Sequence, residues 1–216
     1  RPEEAGIICP GLPAHLFDKC IAEPSLVAKI VVDKYVDHLP VDRQFKAFKR
    51  QGIDLPTATA YDWVKQAALR LEVLYQALIK VVMQSSYIQV DESPIQVLDK
   101  DLKGKTHRGY QWVFRAPESK LVFFHYHQGR DKGFPKEQLK GYQGYLQTDA
   151  YAAYEQFKIQ PGIIPMHCLA HARREFEKAL TNDKARAEYA LNCFQQLYAL
   201  ERKARDQNMD YAQRKA

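Results

Sequence analysis

Apolar residues in the first third of the chain recur at helical spacing. Residues 1–24 are broken by Pro2, Pro10-Gly11, Pro13 and Pro24 and read as an extended arm or linker. Leu26, Ile30 and Val31 then share one face of a helix that Ser25 can cap and that runs to about Tyr35. Val41, Phe45 and Phe48 mark a second helix, Val41–Arg50. It stops at Gln51-Gly52 because glycine is favoured just past a helix end. A third helix opens after Leu55-Pro56, with Thr57 or Thr59 as its cap. It carries Tyr61, Trp63 and Val64, and runs on or restarts through Leu69, Leu74, Leu78 and Val82. From Tyr87 the apolar period shortens to that of strands. Tyr87–Val90, ending at Asp91-Glu92, Gln111–Arg115, Leu121–His127, Gly144–Thr148 and Gly162–His167 read as strands, and Ala116–Ser119 as a hairpin turn. Helices are expected over Pro135–Lys140, Ala150–Phe157 and from Leu169 nearly to the end, the last stretch broken after Leu180.

This order gives an α+β fold: a helical region at 25–84, then a mixed five-stranded sheet with flanking helices at 85–216. The pair Val41–Arg50 and Thr57–Gln66 has helix-turn-helix proportions and would offer Thr57, Thr59, Asp62 and Lys65 to a DNA groove; an ordinary helical hairpin fits the same pattern.

Composition narrows the class. In 216 residues, 46% are hydrophobic and 27% charged, as in ordinary globular proteins. No apolar run is long enough to span a bilayer, and the first residues lack a secretory pattern, so a cytoplasmic protein is expected. Cys9, Cys20, Cys168 and Cys193 are scattered and form no CxxC pair, so reduced thiols are the default. The net charge is +6, and residues 100–140, with ten basic against four acidic groups, carry an equal excess. Such a segment suits a polyanion, or is simply a solvated face. Within it Lys103, Lys105 and Arg108 are the candidate phosphate contacts.

Two strands end in aspartate, Val90-Asp91 and Thr148-Asp149. Carboxylates at the ends of neighbouring strands converge, and two hard anionic donors are what Mg²⁺ needs beside its waters. Aspartate is also a common strand terminator. Glu92 adjoins the first, but successive strand side chains face opposite ways. His167, Cys168 and His171, followed by Arg173 and Arg174, suit phosphate contact, packing or, less completely, a metal.

Four stretches in order carry a family resemblance. They are Ser25–Ile30 with Lys34–Gln44, Val90–Leu98, Gly144–Tyr151 and His167–Phe176. Together they resemble blocks of the insertion sequence 66 family of transposases, collinear from about Leu26 to Leu180. The resemblance implies a ribonuclease H-like, retroviral-integrase-like core with an Asp, Asp, Glu triad. Asp91 and Asp149 would be its first two acids, holding Mg²⁺ (or Mn²⁺), two ions in the complete enzyme. It implies cleavage and strand transfer on double-stranded DNA, at transposon ends and target, by a cytoplasmic protein that is nucleoid-associated when bound. A homo-oligomer and accessory proteins of the same element are compatible with it. It also places His171, Arg173 and Arg174 beside the site, as nucleic-acid contacts.

Two family features have no counterpart in this chain: the last Glu, which lies in a downstream Asn-rich segment, and an N-terminal zinc-binding cysteine cluster. Glu175 is the substitute candidate for the third acid. The expectation is therefore a fragment, cut within a helical insertion and inactive by itself. Competing readings are a non-catalytic DNA-binding remnant or regulator, and a metal-dependent nuclease of the same core acting on hybrids or branched DNA.

Overall fold

The computed structural model describes residues 16–17, 20–99, 104–149, 151–210 and 212–214; most of the 1–24 arm, and Lys103, lie outside them. The chain forms two compact units, Arg1–Ala77 and Leu78–Ala216.

The first unit holds α1 (Pro24–Tyr35), α2 (Val41–Arg50) and most of α3 (Thr57–Met83). Helix α1 starts at Pro24, with Glu23 as its N-cap, so Ser25 sits inside the helix and caps nothing. Proline is suited to the first helical position because its missing N–H would have no partner there. Helix α2 has the predicted bounds. Gly52 follows it at φ +85°, and its N–H and that of Ile53 bond the carbonyls of Lys49 (3.1 Å) and Phe48 (3.0 Å). That double closure needs a left-handed residue, which glycine supplies without strain. Helix α3 is one continuous helix of 27 residues, which decides between running on and restarting. Val27 and Ile30 of α1, Val41 and Phe45 of α2, and Ala60, Trp63 and Val64 of α3 form the core, with Phe17, Cys20 and Ala22 buried among them. Gln44 is buried too, and its amide donates to the carbonyls of Ile30 (3.2 Å) and Leu39 (3.0 Å), which joins α2 to α1 and to the loop between them.

The second unit is built on a five-stranded sheet of order β3-β2-β1-β4-β5. Its strands are β1 (Tyr87–Leu98), β2 (Thr106–Ala116), β3 (Leu121–His127), β4 (Gly144–Thr148) and β5 (Ile163–His167). β1, β2 and β3 form an antiparallel meander, while β4 pairs parallel to β1 and β5 parallel to β4. Helix α4 (Gly133–Gln138) joins β3 to β4, and a 3-10 helix, Ala152–Ile159, joins β4 to β5. Helices α5 (Leu169–Ala179) and α6 (Lys184–Asp206) follow and pack through Phe176 and Phe194, ring centroids 5.8 Å apart. Among the described residues, no helix is long and apolar enough to cross a membrane.

One face of the sheet is dry. Ile88, Val90, Trp112, Phe114, Phe123 and Leu146 are buried, as are Phe134 and Leu139 from the α4 segment and Ala153, Tyr154 and Phe157 from the 3-10 helix. Trp112 packs on Phe134 at 5.0 Å and Phe114 stacks on Phe123 at 4.7 Å. Each such side chain contributes about 1.5–3 kcal/mol by leaving water. β4 starts at Gly144, φ +144°, where a Cβ would lie 2.4 Å from the Ser86 carbonyl oxygen.

β1 is much longer than the predicted Tyr87–Val90. It continues through Asp91 to Leu98, paired throughout with β2. Asp91 is therefore mid-strand, a correction to its placement at a strand end. What ends nearby is the other partnership: β1 pairs with β4 only as far as Gln89. Pro94, which has no N–H to give, falls beyond that point, where β1 has one neighbour.

Candidate active site

The parallel pairing of β1 and β4 sets Tyr87 opposite Tyr145, Ile88 opposite Leu146 and Gln89 opposite Gln147. Two residues further along the chain stand Asp91, within β1, and Asp149, just past the end of β4. Alternation puts Asp91 on the face of Gln89, Asp149 follows directly after the last residue of β4, and neighbouring strands lie about 4.8 Å apart. Polar bonds on that face fix the register. The Gln89 amide donates to Gln147 Oε1 and to the Tyr87 hydroxyl, both at 2.8 Å, and the Tyr87 hydroxyl donates to Gln147 Oε1. A one-residue slip would break the two bonds to Gln147 Oε1.

Asp91 is exposed, and its Oδ1 accepts the Glu92 N–H at 2.9 Å. Asp149 is 20% exposed, and its Oδ1 accepts the Tyr151 N–H at 2.9 Å. Beside Asp149 a recess of about 260 Å³ is lined by His167, Cys168, His171, Ala172 and Glu175. Helical periodicity explains the set: positions 168, 171, 172 and 175 fall on one stripe of α5. Glu175 and His171 thus meet Asp149, and His171 Nδ1 is buried there without a hydrogen-bond partner. Arg173 and Arg174 fall on the neighbouring stripe. They line a cleft of about 580 Å³ between α5 and α6, together with Glu177, Tyr198 and Arg202. Arg173 is paired with Glu177 at 2.7 Å, while Arg174 is exposed. The structure therefore separates three residues that the sequence motif runs together.

The basic residues of the 100–140 segment are also divided. Lys105 and Arg108 are exposed at the far end of the β1–β2 hairpin, where Arg108 lies opposite Gln96. Asp91 lies opposite Val113, five positions back, or about 17 Å along the strand.

Glu92 points away from Asp91, as strand alternation requires, into the covered face. Its Oε1 accepts from Arg130 Nε (2.7 Å) and lies 2.6 Å from Arg130 Nη2 in an ion pair, and its Oε2 accepts from the Tyr154 hydroxyl (2.5 Å). Burial pushes the Glu92 carboxyl up, against the pull of Tyr154 and Arg130. Burial acts to lower Arg130, but the bond to Glu92, the Glu92 charge, and those of Tyr151 and Asp149 together outweigh it and hold the guanidinium above its already high value. Burial raises the Tyr154 hydroxyl far above the ordinary range, and Glu92, Asp149 and Asp91 add to the effect, so all three carboxylates lie within its electrostatic reach. Arg130 also lies 3.8 Å over the Tyr151 ring, and its Nη2 is 3.9 Å from Asp149 Oδ2. Sequence reading did not single out Arg130 or Tyr154. Among the described residues, no three His, Cys, Asp or Glu side chains form a ready metal cluster.

These features define an α+β protein with one aspartate in the central strand β1 and another directly after the parallel neighbour β4. Residues 19–216 match the Transposase IS66 family, and the chain belongs to that family. It is similar to the uncharacterized protein y4jD of Sinorhizobium fredii (strain NBRC 101917 / NGR234), 29% identical over 97% of this chain and 44% of the relative. It is also similar to the uncharacterized protein y4hP of the same strain, 31% identical over 76% of this chain and 31% of the relative. The chain thus spans less than half the length of these relatives.

Proposed function

We propose that this chain supplies the catalytic core of a DNA transposase of the Asp, Asp, Glu type, acting on double-stranded DNA at insertion-sequence ends and target. The observation that carries the reading is the parallel pairing of β1 with β4 up to Gln89 and Gln147, each of which stands two residues ahead of an aspartate, Asp91 and Asp149. The 3-2-1-4-5 order of the mixed sheet supports a ribonuclease H-like core.

The donor set suits Mg²⁺ or Mn²⁺. Asp91 and Asp149 offer hard carboxylate oxygens, the first exposed and the second 20% exposed. The chemistry a bound pair of such ions supplies is activation of the attacking oxygen and stabilisation of the leaving one. The protein's own residues do the placing. The Tyr151 amide orients Asp149, and the Gln89–Gln147 bonds hold the two strands in register. Glu175, which lines the recess beside Asp149, is this chain's candidate for a third carboxylate. His171, Arg174 and the hairpin cations Lys105 and Arg108 are placed to meet phosphate.

The test is cleavage of end-labelled DNA bearing the element's terminal sequence, by the natural polypeptide that carries this chain, with Mg²⁺ or Mn²⁺. Asp91→Asn and Asp149→Asn should each lower the rate by about 100-fold or more, the scale of removing a group that stabilises transition-state charge. Full cleavage by either variant rejects the assignment. A second reading, DNA binding without cleavage, is favoured by the helical pair α2 and α3, whose lengths and Gly52-bearing turn keep helix-turn-helix proportions. Under it, the natural protein protects the element's ends and cuts nothing.

A further inference from the structure

Arg130 stands between two carboxylates and treats them unequally. It lies in the segment between β3 and α4, where no ladder holds the backbone. Three contacts fix it instead. The Tyr151 hydroxyl donates to its carbonyl at 2.8 Å, the Tyr151 ring lies under its guanidinium at 3.8 Å, and Glu92 Oε1 accepts its Nε–H at 2.7 Å and pairs with its Nη2 at 2.6 Å. Toward Asp149 the closest approach is 3.9 Å, beyond hydrogen-bonding distance.

The other side of the balance is Glu92. Its side chain is 0% exposed, and a buried carboxylate persists only when paired and fully hydrogen-bonded. Both its oxygens are satisfied, one by Arg130 and the other by Tyr154. Glu92 is therefore committed to the guanidinium, whereas Asp149, with the Tyr151 amide on one oxygen, is not. A guanidinium released from Glu92 has one carboxylate within a short rotation, and an arginine–carboxylate pair occupies the lone pairs that a cation would need.

We propose that Glu92 and Arg130 are positioning residues that set the divalent-cation affinity of Asp149. Glu92 holds Arg130 back, so that Asp149 Oδ2 stays open to the metal. The inference rests on the reading of Asp91 and Asp149 as metal ligands. It goes beyond that reading by giving a role to a residue of the covered face and one of an irregular segment.

The experiment is Mn²⁺ binding to the 216-residue chain, followed by electron paramagnetic resonance of free Mn²⁺, across the cycle Glu92→Gln, Arg130→Gln and the double variant. Circular dichroism and thermal melting check each fold. Glu92→Gln should weaken binding by about 10-fold when Arg130 is present and by less than about 2-fold when residue 130 is Gln, a coupling of the size found between contacting charges. Arg130→Gln alone should tighten binding. A purely long-range charge effect gives the same Glu92→Gln loss in both backgrounds, and that additivity overturns the proposal. If Glu92→Gln fails to fold, Arg130→Gln still decides: unchanged or weaker Mn²⁺ binding rejects it. Asp149→Asn separates the two levels. If wild type binds no Mn²⁺, or binds it equally as Asp149→Asn, the metal-ligand reading falls and this inference with it. If binding needs Asp149 but the cycle is additive, only the inference falls.

Discussion

Tyr142 is buried just ahead of β4, and its hydroxyl donates to the Tyr145 carbonyl at 2.9 Å. Burial pushes that hydroxyl up to about 12 from the ordinary 10.0, with the Glu118 charge adding to it. The folded state therefore keeps a proton that the unfolded chain releases from about pH 10 upward. The contribution of Tyr142 is fully present below pH 10 and is lost as pH rises toward about 12. Urea midpoints of wild type and Tyr142→Phe should differ by about 0.5–1.5 kcal/mol of stability near neutrality, the worth of one buried hydrogen bond. The difference should shrink between pH 10 and about 12. A gap that stays constant over that window contradicts the assignment. The same scale separates what the sequence discloses from what it hides. Asp91 and Asp149 stand out because each follows an apolar strand run. Arg130 gives no such signal, because its partner Glu92 is 38 residues away and the Tyr154 hydroxyl that completes the cluster is 62 from Glu92. No local pattern encodes a loop side chain whose place is fixed by three distant elements.

At the scale of elements, α5 has two working stripes four residues in period. One turns His171 and Glu175 to the recess beside Asp149, and the other turns Arg173 and Arg174 to the α6 cleft. Arg173 is already neutralised by Glu177, so Arg174 is the freer cation of the two. Arg174→Ala should weaken DNA binding about equally across sequences and reduce the slope of log affinity against log salt by about 1, whereas Arg173→Ala should change the slope less. Filter or fluorescence titrations from low to moderate salt read both, and equal slopes for wild type and Arg174→Ala exclude the contact. Element type was legible where the period was long and clean. Helix α2 has its predicted ends, because the apolar stripe Val41, Phe45, Phe48 and the Gly52 stop signal agree. The expected strand stops at Asp91-Glu92 because the apolar run ends there and aspartate is a common strand terminator. In the fold, Asp91 lies on the open face, Glu92 is neutralised by Arg130, and Pro94 falls where β1 has lost a neighbour, so none of them breaks the strand. The segment expected as a helix from Ala150 is a 3-10 helix, Ala152–Ile159, whose tighter turn seats Ala153, Tyr154 and Phe157 on the sheet.

For the whole molecule, the net +6 is not one basic face. Within the second unit, the candidate phosphate contacts Lys105 and Arg108 lie at the hairpin tip, whereas Arg173, Arg174 and Arg202 line the α5–α6 cleft. The strand order carries a different consequence, for the time course of folding. The turn between β2 and β3 joins Ala116 to Leu121, and the β1–β2 hairpin is similarly local. The β1–β4 pairing instead closes a loop from Gln89 to Gln147, 58 residues apart. Loop-closure entropy opposes such non-local pairing until other contacts form, so the meander zips first and β4 docks late. Pulse-labelled hydrogen exchange during refolding should show amides of β1, β2 and β3 protected before those of β4 and β5; simultaneous protection argues against this order. Asp91 belongs to the early, local half of the sheet and Asp149 to the late one. A chain stalled before β4 docks would hold a complete hairpin meander and no acid pair, so the site is the last thing the fold makes.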